Sequence, residues 1–143
     1  MKYDSDYNNL FLFYRAGLLS TEHALNDVGF QKLIAARNLT FDVIVLEQFY
    51  HDALLVLSHK FDAPVVTIAT LGHAEYMDHA MGLVTPWSHV PHSVLTLDDN
   101  LSFYHRCYNF GLSLLDTILR RYHFMRPMQR MADKYFGNAL DGR

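Results

Sequence analysis

An α/β fold built on a parallel sheet is what this sequence predicts, from three observations. Val43-Ile44-Val45-Leu46 and Val65-Val66-Thr67-Ile68 are short, continuous apolar runs rich in β-branched residues, as in strands covered on both faces. Between them, from about His51 to Phe61, Ala53, Leu54, Leu57 and Ser58 recur at helical spacing. Strand, helix, strand in that order is a βαβ unit, expected to be right-handed and parallel.

The chain has 143 residues, the size of one domain, and enough to bury a core. Half of the residues are apolar, 14% are aromatic and 19% charged, which excludes a disordered or low-complexity chain. A net charge of −3 argues against a nucleic-acid partner, which selects a basic surplus. One cysteine, Cys107, excludes an intramolecular disulfide framework and a cysteine-rich zinc site. The opening residues, Met1-Lys2-Tyr3-Asp4-Ser5-Asp6, do not read as a signal peptide. No run of about 18 uncharged apolar residues reads as a membrane span.

Residues 1–20 are mixed, with an aromatic cluster at Leu10, Phe11, Phe13 and Tyr14. A helix is expected from about Thr21 to Arg37, capped by Ser20 or Thr21, with Ala24, Leu25, Val28, Leu33 and Ile34 at helical spacing. Asp52 suits the start of the helix between the strands, through the helix dipole. Residues 70–100 hold Gly72, Gly82, Pro86 and Pro91 and read as irregular, with a short helix around Glu75–Met81. From Leu101, the residues Tyr104, Tyr108, Leu112, Leu115, Leu119 and Tyr122 recur every three or four positions and mark one long amphipathic helix. Its plain role is to cover the core, and the alternative is to lie on a membrane surface. Arg126-Pro127 is expected to kink or break it. A last helix is expected from about Pro127 to Phe136, ending at Gly137.

Ligands of open α/β sheets bind beyond the carboxyl ends of the strands. Two segments qualify, Glu47-Gln48-Phe49-Tyr50 and Ala69-Thr70-Leu71-Gly72-His73. A carboxylate at Glu47, after four apolar residues, is placed to orient or polarise a histidine. The plain alternative is a solvated glutamate at a strand end. The nine histidines include His73 and His79 around Glu75 and Asp78, His89 and His92 around Val90-Pro91, and the scattered His51, His59, His105 and His123. None forms H-E-x-x-H or a paired zinc spacing, so no metal is expected and the histidines read as loop and surface residues. Cys107 reads as an ordinary buried thiol. Asn38-Leu39-Thr40 and Asn100-Leu101-Ser102 match the N-x-S/T glycosylation pattern, relevant only in the secretory pathway. No phosphate-cradling glycine loop and no serine-hydrolase elbow is present.

Several linked segments carry a family likeness. Phe41-Asp42-Val43-Ile44-Val45-Leu46-Glu47 resembles the F-D-V/L-I/V-x-x-D/E strand of the UDP-glycosyltransferases, the UDP-glucuronosyltransferase family, in their N-terminal acceptor-binding domain. His59-Lys60-Phe61-Asp62-Ala63-Pro64-Val65-Val66 resembles that family's H-x-F-x-A-P-x-I/V, and Ser88-His89-Val90-Pro91 its S-Y-V/I-P. Leu101 to Asn109 is similar to M-S/T-F-x-x-R-x-x-N, and Lys134-Tyr135-Phe136-Gly137 to the K-Y-F-G of insect members. The likeness runs from about Gly17 to Leu140, in family order.

The resemblance implies a GT-B architecture, with this chain a Rossmann-like, partial N-terminal domain. It implies inverting transfer of a hexosyl group, glucose or glucuronic acid, from a UDP-sugar to a small lipophilic acceptor. A base histidine would be oriented by a carboxylate that falls on Glu47, where the family often has aspartate. Thr70, Leu71, Gly72 and His73 would border the acceptor. The segment bearing the base histidine is expected to precede residue 1. The donor domain, which carries the UDP-sugar contacts, and a C-terminal membrane anchor are expected to follow residue 143. The chain alone is then expected to be inactive and to bind no cofactor, and a non-catalytic module that binds lipophiles or hetero-oligomerises is the alternative. A parent on the lumenal side of the endoplasmic reticulum membrane would make Asn38 and Asn100 glycosylation candidates. Contact of the 101–124 helix with the membrane and homo- or hetero-oligomers complete the implied partners.

Overall fold

The computed structural model describes residues 3–70, 72, 74–95 and 101–140. It is mixed and mainly helical, with a small two-stranded parallel sheet, compatible with part of an α/β domain. Helix α1 spans Tyr3–Asn26 and α2 spans Val28–Ala35. Strand β1 (Ile44–Glu47) leads through a 3-10 turn (Asp52–Leu55) and α3 (Val56–Phe61) into β2 (Val65–Ile68). Helix α4 spans Glu75–Ala80, α5 Phe103–Leu119 and α6 Met125–Leu140, the last two joined by a π-helical turn at Arg120–Phe124.

The βαβ unit is present, with its strands parallel as expected. β1 and β2 pair in parallel, Ile44 opposite Val65 and Glu47 opposite Ile68. Asp62 ends α3 in the left-handed conformation, φ 52°, with its amide bonded to the Ser58 carbonyl. Among the described residues only one face of the sheet is covered, which corrects the reading of strands buried on both faces. Ile44 and Leu46 pack on Leu57, Phe61, Ala63 and Phe136, whereas Val45, Val66 and Ile68 are about half exposed. An unbroken β-branched run does not tell one covered face from two, and here a single helical layer lies against the sheet.

Helix α1 begins well before Thr21. Leu10, Tyr14, Gly17, Thr21 and Leu25 form its buried line, at steps of three and four. The expected cap at Ser20 or Thr21 is therefore helix interior, where the Ser20 hydroxyl bonds back to the Ala16 carbonyl. The real boundary is Asp27, in extended conformation, whose carboxylate accepts the Phe30 amide and starts α2. A small or polar residue at two of the five buried positions hid the stripe.

The helix from Leu101 turns a different face inward than its apolar pattern implies. Asn109, Leu112, Ser113 and Asp116 are buried, while Tyr104, Leu115 and Tyr122 are exposed. Cys107 is exposed as well, not a buried thiol. Pro127 does not break the chain. It cannot donate to the His123 carbonyl, and the helix opens one turn earlier: the Met125 amide bonds to Arg120, five residues back. The helical path then continues through Gly137 to Leu140, beyond the expected end. Phe124, Met128, Ala132 and Phe136, at steps of four, seal the core against α1 and the βαβ unit.

Tyr50 has φ 53°, a strained value for a bulky residue. Its backbone crosses α1 at Gly17, where an added Cβ would lie inside contact distance of the Tyr50 Cβ and 3.0 Å from its carbonyl oxygen. Gly17→Ala is expected to cost about 1–3 kcal/mol through overpacking, whereas Gly111→Ala, with open space around it, is expected to be neutral or stabilising. Urea denaturation of both variants checks the contrast.

Candidate functional site

The carboxyl ends of β1 and β2 lie side by side, and the chain leaving β1 makes one wall of a cavity of about 230 Å³. Glu47, Gln48, Tyr50, His51 and Asp52 line it, with Tyr76 and Ala80 of α4 opposite. A second cavity of about 340 Å³ lies behind, lined by Glu75, His79, Asp116, Arg120, Arg121 and Met125. Asp52, Tyr76 and Ala80 border both, so the two are neighbours across one thin wall.

Polar groups fix the first cavity. The Thr70 hydroxyl donates to Glu47 Oε1, so two residues singled out in the sequence meet across the strand ends. Glu47 itself is exposed, as the solvated-glutamate alternative has it. Thr67 donates to Gln48 Oε1 at 3.0 Å, and the Tyr76 hydroxyl donates to the Gln48 carbonyl at 2.8 Å. His51 Nδ1 lies 2.8 Å from the hydroxyl of Thr21, which is fully buried in α1. Burial lowers the His51 pKa below its usual value, against the opposing pull of Glu47 and Asp52. Gly72, at φ 85°, is exposed with open space around it. Leu71 and His73 lie outside the described residues, as does Asn100. Asn38 is exposed between α2 and β1.

Arg120 organises the second cavity. Its guanidinium donates to Asp52 Oδ1 at 2.7 Å and lies over the rings of Tyr76, Phe124 and Tyr50 at 4.6, 5.1 and 5.7 Å. Arg120 Nη1 and Asp52 Oδ2 are buried without a hydrogen-bond partner. The π turn is what brings this arginine inward. Burial also pushes the Tyr50 and Tyr76 hydroxyls above the usual tyrosine range, so both stay neutral.

Beside this cavity Glu75, His92 and Asp116 converge, all buried. The Ser113 hydroxyl donates to Glu75 Oε1 at 2.7 Å and the Tyr14 hydroxyl to Asp116 Oδ1. Burial drives the Glu75 carboxyl and the Tyr14 hydroxyl upward from their ordinary pKa values. Asn109 pins the loop that carries His92: its Oδ1 accepts the His92 amide at 2.7 Å, and its Nδ2 donates to the Trp87 and Val90 carbonyls. At 2% exposure His92 is no surface histidine, which corrects that expectation.

Sequence reasoning passed over Asp52, Arg120, Asp116 and His92 as site residues. One signal was present. Asp116 is the lone acidic residue between Leu101 and Phe124, and a single acid in so apolar a stretch needs a partner. The pairing of Arg120 with Asp52, 68 positions apart, left no local trace.

Fold and site together are compatible with part of an α/β domain, with one cavity by its parallel strands and a second adjoining it. Among curated proteins, the chain is 25% identical over 109 residues to UDP-glycosyltransferase UGT4 of Dactylopius coccus, which is 76% of this chain and 22% of that protein. The chain thus spans about a fifth of that relative's length, and the similarity supports a distant relationship to it. No family model matches the chain. No solved structure matches it.

Two outcomes are expected. Replacing Arg120 with Met leaves Asp52 without its ion partner and costs about 2–3 kcal/mol in urea denaturation. The lowered pKa of His51 means that the folded chain binds fewer protons there than the unfolded chain. The stability it contributes is complete above about pH 6.5 and is lost as pH falls through the folded-state value. His51→Gln is therefore expected to flatten the loss of stability between pH 7 and 5, measured as Tm against pH.

Proposed function

We propose that this chain is the acceptor-side part of a two-domain GT-B enzyme. The enzyme transfers a hexosyl group, glucose or glucuronic acid, from a UDP-sugar to a small lipophilic acceptor with inversion. The observation that carries this reading is the 25% identity over 109 residues to a protein named as a UDP-glycosyltransferase. The position of Glu47 supports it. The carboxylate stands at the end of a parallel strand, tied by Thr70, at the mouth of a cavity walled by Tyr50, Tyr76 and Leu55.

In this reading Glu47 orients the base histidine, which another segment of the parent enzyme supplies, and stabilises its cation once the acceptor hydroxyl has lost its proton. The Thr70 hydroxyl holds the Glu47 carboxylate in place. Thr70, Leu71, Gly72 and His73 border the acceptor, and Tyr50, Tyr76 and Leu55 wall the cavity for its apolar body. The UDP-sugar is held by a second domain. The parent is anchored on the lumenal side of the endoplasmic reticulum membrane, which would make Asn38 and Asn100 available for glycosylation.

A second reading is a non-catalytic module that holds the same class of lipophile or pairs with full-length enzymes. It is favoured by the presence of both cavities within this chain. In the full-length polypeptide Glu47→Gln is expected to lower kcat/KM by about 100-fold or more, with little change in acceptor KM. Unchanged kcat/KM removes Glu47 from the reaction. The isolated chain binding a fluorescent aryl alcohol, in a parent without UDP-sugar turnover, selects the second reading.

A further inference from the structure

We propose that Glu75, His92 and Asp116 form a binding site for one divalent transition cation, of which zinc is the best fit, open on its fourth side to the 340 Å³ cavity. The inference rests on atoms the rest of the fold leaves unexplained. His92 Nε2 is buried and has no hydrogen-bond partner. It lies 3.4 Å from Asp116 Oδ2 and 4.0 Å from Glu75 Oε2. A buried nitrogen left unpaired between two carboxylates costs stability.

The three ligand atoms lie within 4.8 Å of one another. Ligands about 2.0–2.1 Å from a tetrahedral zinc are roughly 3.3–3.4 Å apart, so the His92–Asp116 separation already fits. Glu75 Oε2 has to close by roughly 0.6–0.7 Å on His92 Nε2, and its distance to Asp116, within 4.8 Å, has to shorten toward the same separation. One imidazole with two carboxylate oxygens suits zinc or manganese better than magnesium or calcium, which prefer all-oxygen sets. Two carboxylates and a neutral imidazole sum to −2, which a divalent cation balances.

The outer contacts are those of a built site. Each carboxylate has one oxygen tied by a hydroxyl, Glu75 Oε1 by Ser113 and Asp116 Oδ1 by Tyr14. That leaves Oε2 and Oδ2 facing His92, an arrangement that orients single-oxygen ligands. Asn109 holds the His92 backbone. On the far side of the ring, Nδ1 accepts the Val94 amide at 3.3 Å, the long end of a hydrogen bond. Metal at Nε2 shifts the ring proton to Nδ1 and gives up that weak contact. Glu75 and Asp116 also line the cavity, which supplies the entry path and room for a fourth ligand, water or a substrate oxygen. Spacing along the chain could not reveal this set, because its members come from α4, a loop and α5.

The test is titration of the 143-residue chain with zinc alone, and with manganese and magnesium alone, by calorimetry and thermal melting. The expected result is one zinc per chain, with Tm raised by roughly 5–10 °C at a hundredfold excess over Kd. Glu75→Gln and Asp116→Asn keep the shapes and hydroxyl contacts of the ligands, and each is expected to weaken binding about 100-fold or more. Ser113→Ala is expected to weaken it about 10–100-fold, and His123→Gln, at an exposed position on the π turn, to leave it unchanged. X-ray absorption of the wild-type zinc complex reads the ligand set directly, whether or not a variant folds. One imidazole with oxygen ligands supports the site. Two or more imidazoles, no stoichiometric binding of any of the three cations, or unaltered binding by folded Glu75→Gln and Asp116→Asn overturns it.

Discussion

The site hangs on one strained residue, Tyr50, and on what holds it. A tyrosine at φ 53° is disfavoured by roughly 1–3 kcal/mol, and it persists only where its surroundings over-determine it. Its ring touches Phe13, Tyr14, Tyr76 and Phe124, with centroids 4.3–6.3 Å apart, and Arg120 lies over the same group. Its backbone rests on Gly17, the one place on α1 where the chain can come so close. The turn at Tyr50 reverses the chain directly after β1. That turn sets His51 against Thr21 and Asp52 facing Arg120.

Arg120 reaches this cluster because the long helical path is not uniform. From Asp116 onward the inward-facing residues fall four apart: Asp116, Arg120, Phe124, Met128, Ala132 and Phe136. A straight α-helix has 3.6 residues per turn, so a line of steps of four drifts around its axis. The π turn at Arg120–Phe124 takes up one extra residue and holds the line toward the core. Pro127, which lacks the amide that would close the preceding turn, favours that opening. A residue that reads as a helix breaker thus marks where the helix changes pitch without ending.

The parts legible in the sequence were those set by local chemistry. The βαβ unit, α4 and the placing of Glu47 and Thr70 at neighbouring strand ends follow from short-range pattern and from the geometry of parallel strands. The parts that were not legible depend on partners far along the chain. Helix α1 buries Gly17 and Thr21, whose worth appears only when Tyr50 and His51 arrive from more than 30 residues away. Helix α5 buries Asn109, Ser113 and Asp116 and leaves Phe103, Tyr104 and Tyr122 outside. Hydrophobic period alone selects a face about a quarter turn away, sharing only Leu112 with the buried one, because it takes every polar residue as solvent-facing.

That offset on α5 bears on function as well as fold. Removing Asn109, Ser113 and Asp116 from water is unfavourable unless each group finds a partner. Asn109 finds three, in the His92 amide and the Trp87 and Val90 carbonyls, so it is explained as the clamp of a loop. Ser113 and Asp116 are explained only through Glu75 and Tyr14, and that chain of contacts ends at an imidazole nitrogen with no hydrogen-bond partner. A core selected for stability alone would fill such a position with apolar side chains of similar volume, a replacement that is often neutral or stabilising. The polar set borders a cavity shared with Arg120 and separated by Tyr76 from Glu47. The expensive groups of this small chain therefore gather around one place, next to the ends of the parallel strands, where α/β sheets bind their ligands.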